Sequence, residues 1–92
     1  MFGIKIKALR EVKGISQRAL GAYIEVDAAF ISKIESGEKI MSRKHLPIIS
    51  QVLDIEKAEL LKLWLADKVY KIVKEEDFGQ EVLNWQKIKS NI

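Results

Sequence analysis

Ile15 to Gly37 reads ISQRALGAYIEVDAAFISKIESG, and its punctuation predicts two short helices around one tight turn. Ser16 is a good N-cap, because its hydroxyl can accept a free backbone N–H of the first turn. The spacing predicts helix over Gln17 to Ile24, with Leu20 and Ile24 four apart on one face. A turn follows around Glu25-Val26. Asp27 is a second N-cap, and Ala28 to Ser36 continue as helix, with Ile31 and Ile34 facing inward. Gly37 ends that helix, as expected of a glycine at C′. Leu20, Ile24, Val26, Ile31 and Ile34 make a shared core, and Gly21 is small where the helices approach most closely.

This is helix-turn-helix spacing. The segment resembles the helix-turn-helix of the Cro/phage-repressor class, the XRE family. The matching residues are Ser16-Gln17, the apolar set above, FISKIESGE from Phe30 to Glu38, and the approach LREVKGIS from Leu9 to Ser16. Two positions depart from the family pattern. Glu25 stands where members usually have Gly in the turn, and Gly21 where they usually have Ala. A left-handed Glu25 carries a modest cost, and both read as tolerated variations. The resemblance spans roughly Phe2 to Leu61. It implies an all-α fold: a five-helix lambda-repressor-like DNA-binding domain over residues 1–61, with a C-terminal helical extension over 62–92.

In that family the second helix lies in the DNA major groove. Carried over by position, Ala28, Ala29, Ser32, Lys33 and Ser36 face the bases, and Gln17 sits over a phosphate or a base edge. This is a sparse reading head, with no Arg, Asn or Gln on the second helix for the bidentate contacts that best distinguish bases. Ala methyls can pack on thymine methyls, Ser32 can bond either way, and Lys33 can reach guanine or phosphate. Ala28 and Ala29 read equally well as plain helix formers. Phe30 reads as packing and Asp27 as a cap rather than as base contacts. Arg18, Lys39, Ser42, Arg43 and Lys44 are the phosphate candidates, the last four in a loop that in relatives passes beside the DNA backbone. Such contacts position a domain without carrying sequence information; a solvated basic loop is the plainer alternative. Arg10 and Glu35 occupy positions that commonly pair in the family, so they are assigned to structure.

Composition fits this reading. The 92 residues suit one small domain with an extension, 48% apolar and 32% charged. Residues 1–45 hold nine Lys/Arg against five Asp/Glu, and residues 46–92 seven against eight. The basic excess lies with the motif, where counterion release favours nucleic acid. Without cysteine there are no disulfides or thiolate metal sites. His45 is a lone histidine and reads as exposed or capping, so neither metal nor cofactor is expected. No apolar run reaches the ~20 residues of a membrane span, and the N-terminus lacks a signal core. A cytoplasmic protein without a small-molecule ligand is the expectation.

The remaining helices follow from periodicity. Phe2, Ile6, Leu9 and Val12 form a stripe on a first helix over Gly3 to Lys13, ended by Gly14. Pro47 is harmless only in a first turn, so the next helix starts near Lys44 and runs to Leu53, with Leu46, Ile49, Val52 and Leu53 as its core face. A long helix spans Glu56 to Glu75. Its apolar side chains form one stripe (Leu61, Trp64, Leu65, Val69, Ile72, Val73) and a second (Leu60, Leu63, Tyr70). One stripe can cover the core, and the surplus marks an interface. A homodimer through Leu60, Leu63, Trp64 and Tyr70 is expected. Glu75-Glu76-Asp77 breaks the chain. A sixth helix over Phe78 to Ile88, carrying Val82, Leu83, Trp85 and Ile88, either folds back over that surface or crosses to a partner, and the last residues fray.

Paired carboxylates such as Glu35 with Glu38 read as sitting on the motif's surface with no nucleophile or metal set beside them, and there is no phosphate-cradling Gly loop, so no enzyme is expected. The expected function is a dimeric, sequence-specific transcription regulator on double-stranded DNA, with a palindromic operator. LWLADKVY, Leu63 to Tyr70, is similar to the bacterial group found beside DNA methyltransferase genes. The rival is a protein-interaction module or antitoxin-like partner that keeps the fold without strong DNA reading.

Overall fold

A computed structural model describes residues 1–90, with side chains through Trp85. All regular structure among the described residues is helical. α1 spans Phe2–Val12, α2 Gln17–Tyr23 and α3 Ala28–Glu35. A 3₁₀ turn at Arg43–His45 leads into α4, Leu46–Leu53, followed by α5, Lys57–Lys74, and α6, Gly79–Ser90. This is the expected all-α, lambda-repressor-like arrangement of five helices and a helical extension.

Helix ends explain much of the local order. The Ser16 hydroxyl accepts the Ala19 N–H at 3.0 Å, and Asp27 Oδ1 accepts the Phe30 N–H at 2.8 Å. Each serves a donor with no partner inside its own helix. Between α2 and α3, Glu25 is left-handed with φ 60°, at a cost of roughly 1 kcal/mol. The Val26 N–H closes the turn onto the Gly21 carbonyl at 2.9 Å. A Cβ at Gly21 would stand 2.5 Å from the Val26 carbonyl oxygen. The glycine is therefore required by the returning turn rather than by the helix bodies.

One core joins Phe2 and Ile6 of α1, Leu20 of α2, Ile31 and Ile34 of α3, Leu46, Ile49 and Leu53 of α4, and Leu60 and Trp64 of α5. Ile24, Met41 and Ile55 enter it from the connections, and Val26 and Leu9 pack half-buried at its edge. α1 crosses α3 so closely that a Cβ on Gly3 would lie 2.3 Å from the Ile34 carbonyl oxygen. The N-terminus of α1 is capped from far along the chain: Asp67 Oδ2 of α5 accepts the Phe2 N–H at 2.9 Å.

Several expectations need correction. Val12 is 83% exposed, because successive steps of three lag the 3.6-residue period and α1 ends beyond the core. α4 begins in α-form at Leu46 rather than near Lys44, the preceding turn being 3₁₀, which still leaves Pro47 in the first turn. Leu60 and Trp64, expected at a dimer contact, are interior at 0% and 4% exposure. Leu63 is half-buried against the same core, while Tyr70 is exposed. On a 3.6-residue helix Leu65, Val69 and Ile72 lie opposite Leu60 and Trp64, and these three are exposed. The core side of α5 thus draws on both stripes, Leu60 from one and Trp64 from the other, and Tyr70 is exposed like Leu65, Val69 and Ile72. The side chain of Ile88 and the end of the chain lie outside the described residues.

The α1–α3 crossing gives a first test. Gly3→Ala should destabilise by about 1–3 kcal/mol through overpacking against backbone. The thermal midpoint should fall by at least about 4 °C, measured by circular dichroism; an unchanged midpoint would mean that the crossing relaxes freely.

Candidate nucleic-acid interface

α3 turns Ile31, Ile34 and Glu35 inward. That leaves Ala29, Ser32, Lys33 and Ser36 exposed, with Ala28 half-buried at the first helical position. Phe30 is half-buried against the core. The Asp27 carboxylate is occupied by its capping bond. The outward face is therefore short and small, with Lys33 as its one charged side chain.

Glu35 holds this helix in place. Arg10 Nε donates to Glu35 Oε2 at 2.7 Å and Nη2 to Oε1 at 3.1 Å, while Nη1 donates to the Ile15 carbonyl at 2.9 Å. The paired structural role expected of these two residues is thus present, with side chains only 12% and 4% exposed. A third donor joins them: Gln17 Nε2 reaches Glu35 Oε1 at 3.1 Å. Gln17 is half-buried, and its amide N–H is committed to the pair rather than pointed at a base. Ser36, though exposed, is likewise engaged locally. Its hydroxyl donates to the Lys33 carbonyl at 3.0 Å and accepts the Glu38 N–H at 3.4 Å. These two expected base contacts are first of all local fastenings.

The phosphate candidates stand differently. Arg18, Lys39, Ser42, Arg43 and Lys44 are all exposed, and none of the four cations forms an ion pair with an acid among the described residues. Ser42 precedes the 3₁₀ turn without using its hydroxyl as a cap. The loop bearing the last four is fixed from beneath. Met41 is buried, and Trp64 Nε1 donates to its carbonyl at 2.7 Å. The Glu38 and Lys39 N–H groups both bond the Lys33 carbonyl, at 2.9 and 3.2 Å. Loop and α3 therefore form one rigid surface. Neither Trp64 nor the Asp67 cap was assigned this role from the sequence, because their partners lie 23 and 65 residues away.

A Helix-turn-helix family model matches residues 6–60. The chain belongs to the XRE-type helix-turn-helix family. It is also 40% identical over 60 residues to Control protein C.MunI of Mycoplasma sp, covering 64% of this chain and 81% of that protein. No solved structure matches. The family and this relative support a DNA-binding transcription regulator.

The Glu35 hydrogen bonds raise the Arg10 pKa above its ordinary value, against the opposing effect of burial. A pKa raised on folding stabilises fully below the unfolded value and is lost only as pH climbs through the folded one. The arginine side of this pair should thus keep its full contribution from about pH 6 to 9, seen as a pH-independent difference between wild type and Arg10→Met in urea unfolding. Glu35→Ala should cost about 3 kcal/mol, the lower end for breaking a buried pair, because Arg10 keeps an edge in water. Trp64→Phe leaves the Met41 carbonyl buried and unpaired, at about 1–3 kcal/mol. It should also speed hydrogen exchange in the 38–42 loop, which a uniformly weakened fold would not single out.

Proposed function

We propose that this regulator binds a palindromic operator as a homodimer and controls restriction–modification genes. The observation that carries the reading is a small exposed α3 face (Ala29, Ser32, Lys33), tied at Lys33 to the start of a loop that bears the exposed, unpaired cations Lys39, Arg43 and Lys44. Phosphates bind such cations by releasing counterions, and a helix offering methyl and hydroxyl groups reads thymine methyls and base edges in the major groove. Two-fold pairing would set two α3 helices about one helical turn apart, matching half-sites ~10 bp apart. The likeness to a control protein supports the choice of target genes.

Within this reading, residues 1–61 recognise DNA and residues 62–92 join the subunits, α5 running unbroken across the boundary. Leu65, Val69 and Ile72 are the association face of α5. No helix among the described residues is long and apolar enough to cross a membrane, and the cytoplasm is the compartment that fits a DNA operator. The reading calls on no cofactor or small-molecule ligand.

Selection from random duplex DNA tests it. An enriched palindrome with steeply salt-dependent affinity is the expected outcome; weak binding without enrichment would favour a protein-interaction module. On the enriched site, Lys33→Ala with Ser32→Ala should relax base preference. Arg43→Ala with Lys44→Ala should weaken all sequences alike and reduce the salt slope by about two per protomer. Leu65→Glu should give a monomer by sedimentation.

A further inference from the structure

α6 lies outside the family match, which ends at residue 60. Its inner side packs on α5, with Gly79 buried and Leu83 half-buried. Its other side is left without a partner among the described residues: Phe78, just before the helix, is 72% exposed and Trp85 64%, with Val82 between them. The three follow a four-then-three spacing and share one edge. Across α5, Leu65, Val69 and Ile72 repeat the same four-then-three spacing and are also exposed.

Charge distinguishes the two surfaces. α5 carries five lysines against two acids. Residues 75–92 carry four acids against two lysines, Lys87 and Lys89. On the helical wheel Lys62 and Lys68 flank the α5 stripe, and Glu81 flanks the α6 edge. Like faces of two copies would oppose like charges, whereas unlike faces are complementary.

Area points the same way. A stable association takes about 800 Å² from each partner. Three half-exposed aliphatic side chains supply only a part of that. The α6 edge adds two aromatics, each with on the order of 150–250 Å² to bury, and Trp is among the residues that anchor interfaces most often.

We propose that the acid-flanked edge Phe78–Val82–Trp85 of one copy docks on the lysine-flanked stripe Leu65–Val69–Ile72 of a second copy, reciprocally. α6 is then a cross-subunit clasp. This rests on the homodimer reading and names the partner surfaces within it.

Sedimentation equilibrium of the full chain tests the clasp. Wild type should dimerise, and Phe78→Glu with Trp85→Glu should raise the dimer dissociation constant at least tenfold. Both residues are exposed in the single chain, so the helical circular dichroism should stay near wild type. Glu81→Lys should weaken the dimer several-fold, and adding Lys62→Glu and Lys68→Glu should restore it. Trp64 is already buried, so a blue shift of tryptophan emission with rising protein concentration should report Trp85. If the Phe78/Trp85 variant dimerises like wild type while Leu65→Glu is monomeric, the clasp is overturned and the homodimer stands on α5 alone. A monomeric wild type at tens of micromolar would instead remove the homodimer itself.

Discussion

A single carboxylate ties together the three helices on which DNA reading depends. Glu35 sits at the end of α3, takes two bonds from Arg10 of α1 and one from Gln17 of α2. A charge removed from water is tolerated only when its lone pairs are occupied, and here each partner comes from a different helix. The angle of α3 against its neighbours is therefore fixed by directional bonds as well as by apolar packing, which alone would allow sliding. This explains why the Gln17 amide faces inward: the same group that relatives suggest for DNA is needed to complete the shell around Glu35.

α5 is the second organiser. Its buried side supplies Leu60 and Trp64 to the core, the Trp64 indole holds the Met41 carbonyl, and Asp67 completes the first turn of α1. Its opposite side is apolar and uncovered. The same helix thus offers an exposed apolar side and holds the loop of Lys39, Arg43 and Lys44 from beneath through Trp64.

What the sequence reveals is mainly what short-range chemistry decides. Ser16, Asp27, Glu25 and Gly37 act within a few residues of themselves, so the two helices and their turn can be read directly. The Arg10–Glu35 pair follows from family likeness. The face of α5 could not be assigned that way. With apolar residues nearly all round its middle, periodicity shows two stripes but not which one meets the core; that choice depends on where α1 and Met41 arrive. Gln17 and Ser36 show the same limit at smaller scale. Their spacing places them on the DNA side, but hydrogen-bond partners three to eighteen residues away claim their polar atoms.

The Asp67 cap on α1 has a consequence for synthesis. Chains emerge from the ribosome N-terminus first, at about 5–20 residues per second. The first turn of α1 waits for a carboxylate made 65 residues later, and the core waits for Leu60 and Trp64. A nascent chain therefore cannot complete the helix-turn-helix core until most of α5 has been made.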